Sequence, residues 1–359
     1  VALTTLLVTP AKADAQQGID STTALKQACE AAVNDFLYVT TDIKIYNGPH
    51  ENVASGCTIS LGPGANFEAD QVSMAFAGPF AIYSARERHV SFRSSVWIAP
   101  SLGFYTGDVS SVTNVASRLR ATGGDIKIIT GRESAVQLQY RPNGSLNGLE
   151  ATGSVFITGS SKLFISLGDT GIEGRTGVQI HFGGQDTVLK AEYAELHSQR
   201  GSVSVSGGVP KALVELKQVT LASGGGDTNV SLAGTASLVK AEFTRISSQG
   251  GSVQLRAGDN GWWAGVELVE TMVTATYGVR VQGSHEPQYD SNRYGTVKVS
   301  KSTFSGGSDV ILRTGAFGTT EVKESAISSA TAIRILTGPG GTCKAESNQY
   351  QAPILEICQ

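Results

Sequence analysis

The stretch 201-GSVSVSGGVPKALVELKQVTLASGGG-226 decides the fold, because its pattern returns with variations from about residue 124 to the C-terminus. A Val-x-Val pair between glycines is followed by a polar segment, a second alternating strand and a Leu-Ala-Ser corner. The first-strand pairs fall at Ile126/Ile128, Val155/Ile157, Val178/Ile180, Val203/Val205, Val230/Leu232, Val253/Leu255, Val279/Val281, Val310/Leu312 and Ile333/Ile335, 23 to 31 residues apart. Second pairs recur at Leu189/Ala191, Val214/Leu216, Val239/Ala241, Val266/Leu268, Val297/Val299 and Thr320/Val322. Five residues after each stands one more apolar residue: Leu196, Leu221, Ile246, Val273, Phe304 and Ile327. Alternation with period two puts these residues on one side of a strand. No unit alone has enough apolar surface for a core, so a repeat of this length means stacked units.

If each unit is one turn of a solenoid, every strand pairs with its equivalent in the next turn and inward Val, Leu and Ile form continuous columns. Glycine and serine are expected to turn the corners. The parallel-crossover rule makes the winding right-handed. The segments 297-VKVSKSTFSGGSDVIL-312 and 239-VKAEFTRISSQGGSVQL-255 resemble coils of the right-handed parallel β-helix, or pectate-lyase-like, superfamily, over roughly residues 56 to 352. The expected architecture is therefore all-β: a single-stranded right-handed parallel β-helix with a short N-terminal capping helix. Its divisions are a signal-peptide remnant at 1–13, a cap of helix plus strand at 14–55, and the solenoid at 56–359 with a disulfide-stapled C-terminal end.

Composition agrees with sheets and turns. In 359 residues there are 43 glycines, two methionines and only 16% charged residues, which disfavours a helical or disordered chain. A net charge of −3 gives no signal for nucleic acid or for a membrane surface. The start, 1-VALTTLLVTPAKA-13, reads as the tail of a secretory signal peptide closing on Ala11-Lys12-Ala13, too short an apolar run for membrane insertion. A secreted or cell-surface protein is expected. Cys29 and Cys57 lie near one end of the chain and Cys343 and Cys358 near the other. Solenoid ends expose the apolar column and need caps, so the pairs Cys29–Cys57 and Cys343–Cys358 are expected as staples. No C-x-x-C spacing points to a metal.

Before the repeat, 20-DSTTALKQACEAAVNDF-36 reads as an amphipathic helix capped by Asp20 or Ser21, with Ala24, Leu25, Ala28, Ala32 and Val33 on the face that lids the first coil. A strand at 37–48 follows. From 70 to 123 the repeat loosens, with strands at 71–78, 80–85, 89–100 and 116–123 and 101-SLGFYTGDVSS-111 as a long connection.

Two adjacent coils carry enlarged loops, 257-AGDNGWWAG-265 and 283-GSHEPQYDSNRYG-295, which must project side by side. They place Trp262, Trp263, Tyr289 and Tyr294 near Asp259, His285, Glu286, Asp290 and Arg293. Flat aromatic faces pack on the C–H surface of a sugar ring while polar groups take its hydroxyls. Outward Arg256, Arg280, Arg313 and Arg334 are expected to line one face, a guanidinium row suited to carboxylated or sulfated polysaccharide. The structural alternative folds the tryptophans back on the coil and pairs the arginines with nearby carboxylates. The expected function is non-catalytic, adhesin-like binding of extracellular polysaccharide or cell-surface glycan, without a cofactor.

Two other readings stand beside it. Enzymes of the resembled superfamily use clustered aspartates, calcium ligands, or an Arg or Lys base. This chain has no Asp-Asp, Asn-Thr-Asp or Gly-His-Gly. The resemblance then implies a lyase or epimerase on a uronate polymer, with Arg280 or His285 as proton acceptor, Arg293 or Arg313 neutralising the carboxylate, and calcium in the lyase case. The third reading is a structural subunit of an extracellular layer or filament.

Overall fold

The structure, a computed structural model, describes residues 18–139, 148–207, 210–258, 263–284 and 294–358. Among the described residues the strands form three sheets of 14, 13 and 13 members, each strand pairing with its equivalent one turn away. Val178 pairs with Val203 in the first sheet, Leu189 with Val214 in the second and Leu196 with Leu221 in the third, all in parallel. Burial alternates along the strands, as in Ser202–Gly207, so the inward columns merge into one continuous core. The molecule is an all-β parallel solenoid. Among the described residues no helix is long and apolar enough to cross a membrane.

One register differs from the expected one. Val203 pairs with Thr228 and Val205 with Val230, so the anchor in that turn begins at Thr228 and not at Val230. Thr228 pairs in turn with Val253, which makes both steps 25 residues, from 203 to 228 and from 228 to 253. Thr228 is fully buried, and its hydroxyl donates to the Ser247 carbonyl at 2.7 Å with Ser223 Oγ 3.0 Å away. A satisfied hydroxyl is tolerated inside. Val203, Val230 and Val253 still share one interior.

The N-terminal turns are regular as well. Leu102–Thr106, expected as connection, is a first-sheet strand between Phe80–Ser84 and Ile126–Thr130. Segment 89–100 is two strands, His89–Arg93 and Val96–Ala99, broken by Ser94 at φ 46°. The pattern is hidden because the core here is aromatic. The Trp97 ring lies 5.0–5.8 Å from Phe67, Phe76, Phe80 and Phe92, and Phe104 is 5.2 Å from Phe92. The first coil starts at Phe36: the strands Phe36–Val39, Ile43–Tyr46 and Glu51–Val53 all pair with the next turn. The cap is thus the helix alone, and residues 36 to 55 belong to the solenoid.

Helix α1 (Thr22–Ala31) is capped by Ser21, whose hydroxyl accepts from Ala24 N at 3.2 Å, and it buries Leu25 and Cys29. Val33, expected on its inner face, is 60% exposed, because Ala32 is extended and Asn34 and Asp35 reverse the chain at φ 54° and 59°. Cys29–Cys57 ties the helix to the strand Cys57–Leu61, and Cys343–Cys358 closes the last coil. The signal-peptide reading of 1–13 lies outside the described residues.

Glycine and serine dominate only the third-to-first corner. There a Cβ on Gly201 would sit 1.7 Å from the Thr176 carbonyl oxygen, and Ser198 Oγ accepts from Gly201 N at 3.0 Å. The other two corners turn on left-handed residues of every chemistry, such as Lys211, Trp263 and Phe317 at one and Gln218, Phe243 and Glu270 at the other. Each such residue costs about 1–2 kcal/mol. Buried hydroxyls behind the second of these corners stitch successive turns: Thr271 N donates to Ser302 Oγ at 3.1 Å and Ser302 N to Ser325 Oγ at 3.2 Å.

Candidate functional site

Gly265, Thr296 and Thr319 begin successive strands of the second sheet and pair in register. Two residues before each stands an aromatic: Trp263, Tyr294 and Phe317. The three therefore occupy one row along the first-to-second corner, about 4.8 Å apart along the solenoid axis. Trp263 and Tyr294 lie 5.0 Å apart between ring centroids at 30°. All three are exposed, at 67%, 44% and 41%. Small residues bound the row, with Ala236 before it and Gly340 after it. A Cβ on Gly340 would come 2.6 Å from the Phe317 ring.

The arginines divide between two outward columns of the first sheet instead of forming one stripe. Arg256 pairs with Gln282 and Gln282 with Arg313, while Arg280 pairs with Ile311 and Ile311 with Arg334. Successive coils place their arginine two residues apart along the strand, which is why sequence alternation alone merges the columns. Arg313 Nη2 donates to Gln282 Oε1 at 3.3 Å. Among the described residues Arg256 Nε is buried without a hydrogen-bond partner. Arg334 is held by Glu356 at 2.9 Å and Asp309 at 3.0 Å, and the Glu356 contact chiefly raises its pKa above the usual guanidinium value. Arg280, Gln254, Tyr277 and Asp309 line a shallow cavity of about 270 Å³.

Of the expected site residues, Trp263 and Tyr294 meet, Arg256 and Arg313 share the column with Gln282, and Arg280 stands in the neighbouring one. Trp262, Asp259, His285, Glu286, Tyr289, Asp290 and Arg293 lie outside the described residues. Phe317 belongs to the aromatic row but was not expected there. Its signal was a fixed two-residue offset from Thr319, visible once the second-sheet register is known. A separate aromatic pair, Tyr83 and Tyr105, stacks at 4.5 Å and 7° on the outer face of the first sheet. Burial, then the neighbouring Tyr83, pushes the Tyr105 phenol above its ordinary value. Among the described residues no three His, Cys, Asp or Glu side chains group to hold a metal ion. The ring row follows the first-sheet strands Val253–Ala257 and Val310–Thr314, which carry Arg256 and Arg313 at outward positions. Comparison of the chain with protein-family models, with curated proteins and with solved structures gives no match.

Proposed function

We propose that this protein binds an extracellular, acidic polysaccharide or cell-surface glycan along the Trp263–Tyr294–Phe317 corner and does not turn it over. The observation that carries the reading is the ring row: three successive turns spend exposed aromatic surface on one line, beside the column that holds Arg256 and Arg313. The parts of Trp263 and Phe317 that stay exposed gain nothing from burial in the free protein. Against a sugar face they recover it, while guanidinium groups bind carboxylate or sulfate. The same reading makes the chain a secreted relative of the pectate-lyase-like β-helices, since two disulfides suit an oxidising compartment.

The test is capture on an array of uronate and sulfated glycans. Wild type is expected to retain an acidic glycan. Trp263→Ala should weaken it at least about tenfold, or about 1.4 kcal/mol, with an unchanged unfolding midpoint. If wild type retains none, or Trp263→Ala binds as wild type does, the proposal fails.

A further inference from the structure

The outer face of the second sheet carries an ordered charge pattern. One outward column reads Lys190, Glu215, Lys240, Glu267, Lys298, Glu321 and Lys344, alternating in sign at every turn. The second column reads Glu192, Lys217, Glu242, then neutral Val269 and Ser300, then Lys323 and Glu346. Neighbours along each column pair at the surface, for example Lys190 with Glu215 and Lys217 with Glu192, both at 3.3 Å. Alternation along a column keeps like charges from standing opposite each other in adjacent strands.

Column alternation leaves the phase between the columns free. Yet from Lys190 to Glu346 every second-sheet strand with two outward charges carries opposite signs: Lys190-Ala-Glu192, Glu215-Leu-Lys217, Lys240-Ala-Glu242, Glu321-Val-Lys323 and Lys344-Ala-Glu346; Glu68-Ala-Asp70, far toward the N-terminal end of the same sheet, carries two negative charges and lies outside this stretch. A second copy placed face to face about a two-fold axis along the solenoid sets each turn against the same turn of its partner, with the columns exchanged. Lys190 then faces the position of Glu192, Glu215 that of Lys217, and so on through all five strands. The antiphase that this arrangement requires is the antiphase present. Seven turns of about 4.8 Å by five residues of about 3.3 Å make roughly 550 Å² per copy, about 1,100 Å² in all. That clears the about 1,000 Å² expected of a specific interface.

We propose that the second-sheet face is a homophilic surface on which two copies of this chain pair side by side with their axes parallel. Its affinity is electrostatic in origin and is weakened by salt. The groove of about 480 Å³ between Gly168, Lys190, Glu192 and Lys217 lies on this face and closes in the pair.

The triple variant Glu192→Lys/Lys217→Glu/Glu242→Lys tests it. This change keeps alternation within the Glu192–Lys217–Glu242 run, which the neutral Gly168 and Val269 bound, but puts the two columns in phase over those three turns. Sedimentation velocity should find a wild-type dimer whose dissociation constant rises at least tenfold between about 0.05 and about 0.5 M salt. The triple variant, at an unchanged unfolding midpoint, should be monomeric at the same concentrations. Milder neutral changes, Glu192→Gln/Lys217→Gln/Glu242→Gln, should weaken the pair if the reversal variant does not fold. A wild type monomeric at about 0.1 mM in low salt, a salt-insensitive dimer, or a folded reversal variant that still pairs would each overturn the proposal.

Discussion

Removing the C-terminal staple tests whether stability in this solenoid is local. Cys343 and Cys358 are 15 residues apart, and closing a loop of that length restrains the unfolded chain by about 3 kcal/mol. Among the described residues the last coil has a neighbour on one side only, and its Ile354 and Leu355 are about half exposed. Besides the disulfide, it is held by its strand ladders to the preceding turn and by the packing of Ala345, Tyr350 and Ile357 on the core. In a stack where each turn contacts its neighbours, the loss should be confined to the end. For Cys343→Ala/Cys358→Ala we expect amide exchange in Thr342–Glu346, Gln349–Gln351 and Ile354–Ile357 to accelerate by roughly 100-fold, the equivalent of about 3 kcal/mol. Strand Thr228–Leu232, far inside the stack, should exchange as in wild type. Equal acceleration in both regions would mean that the chain unfolds as one cooperative unit. An unchanged last coil would mean that the disulfide restrains nothing there. Either result refutes the argument.

Two further outcomes follow from the core and from the surface charges. Trp97→Ala should cost about 3–5 kcal/mol in urea unfolding, because the ring is fully buried among four phenylalanines; Trp97→Phe should cost less, since it keeps an aromatic ring in that space while removing an indole N–H that has no hydrogen-bond partner among the described residues. A Trp97→Ala loss under about 1 kcal/mol would show that the aromatic turns are loosely packed. Glu133 and Glu321 are held below the ordinary carboxylate pKa by hydrogen bonds from Lys162 and Lys323, and Glu51 by the Thr23 hydroxyl and then Lys26. A depressed folded pKa stabilises above the unfolded value of about 4.3 and is lost as pH falls through the folded value. The unfolding midpoint should therefore be lower at about pH 3 than at about pH 6, with a smaller difference in Glu133→Gln; equal midpoints would contradict the assignment.

The fold was legible where inward residues are aliphatic. The second- and third-sheet columns, from Leu189 through Thr320 and from Leu196 through Ile327, line up as their spacing required. Legibility failed where another chemistry filled an inward slot. Thr228 was passed over because its hydroxyl is satisfied inside the core, and the strand at Leu102 because the Tyr105 ring leans over Gly103 and masks the alternation. The aromatic row was half legible: Trp263 and Tyr294 stood out as loop residues, whereas Phe317 sits in a short corner that resembles its neighbours. The division of the arginines into two columns required pairing geometry that no single strand contains.

The left-handed corners set molecular display against thermodynamic comfort. Glycine or asparagine at Trp263, Phe243 or Lys211 would relax the backbone and at the same time erase the group presented to the surroundings. Selection for robustness and selection for surface identity thus pull opposite ways at the same residues. A thermally hardened version of this chain obtained by corner exchange would be expected to come out chemically blank along its edges.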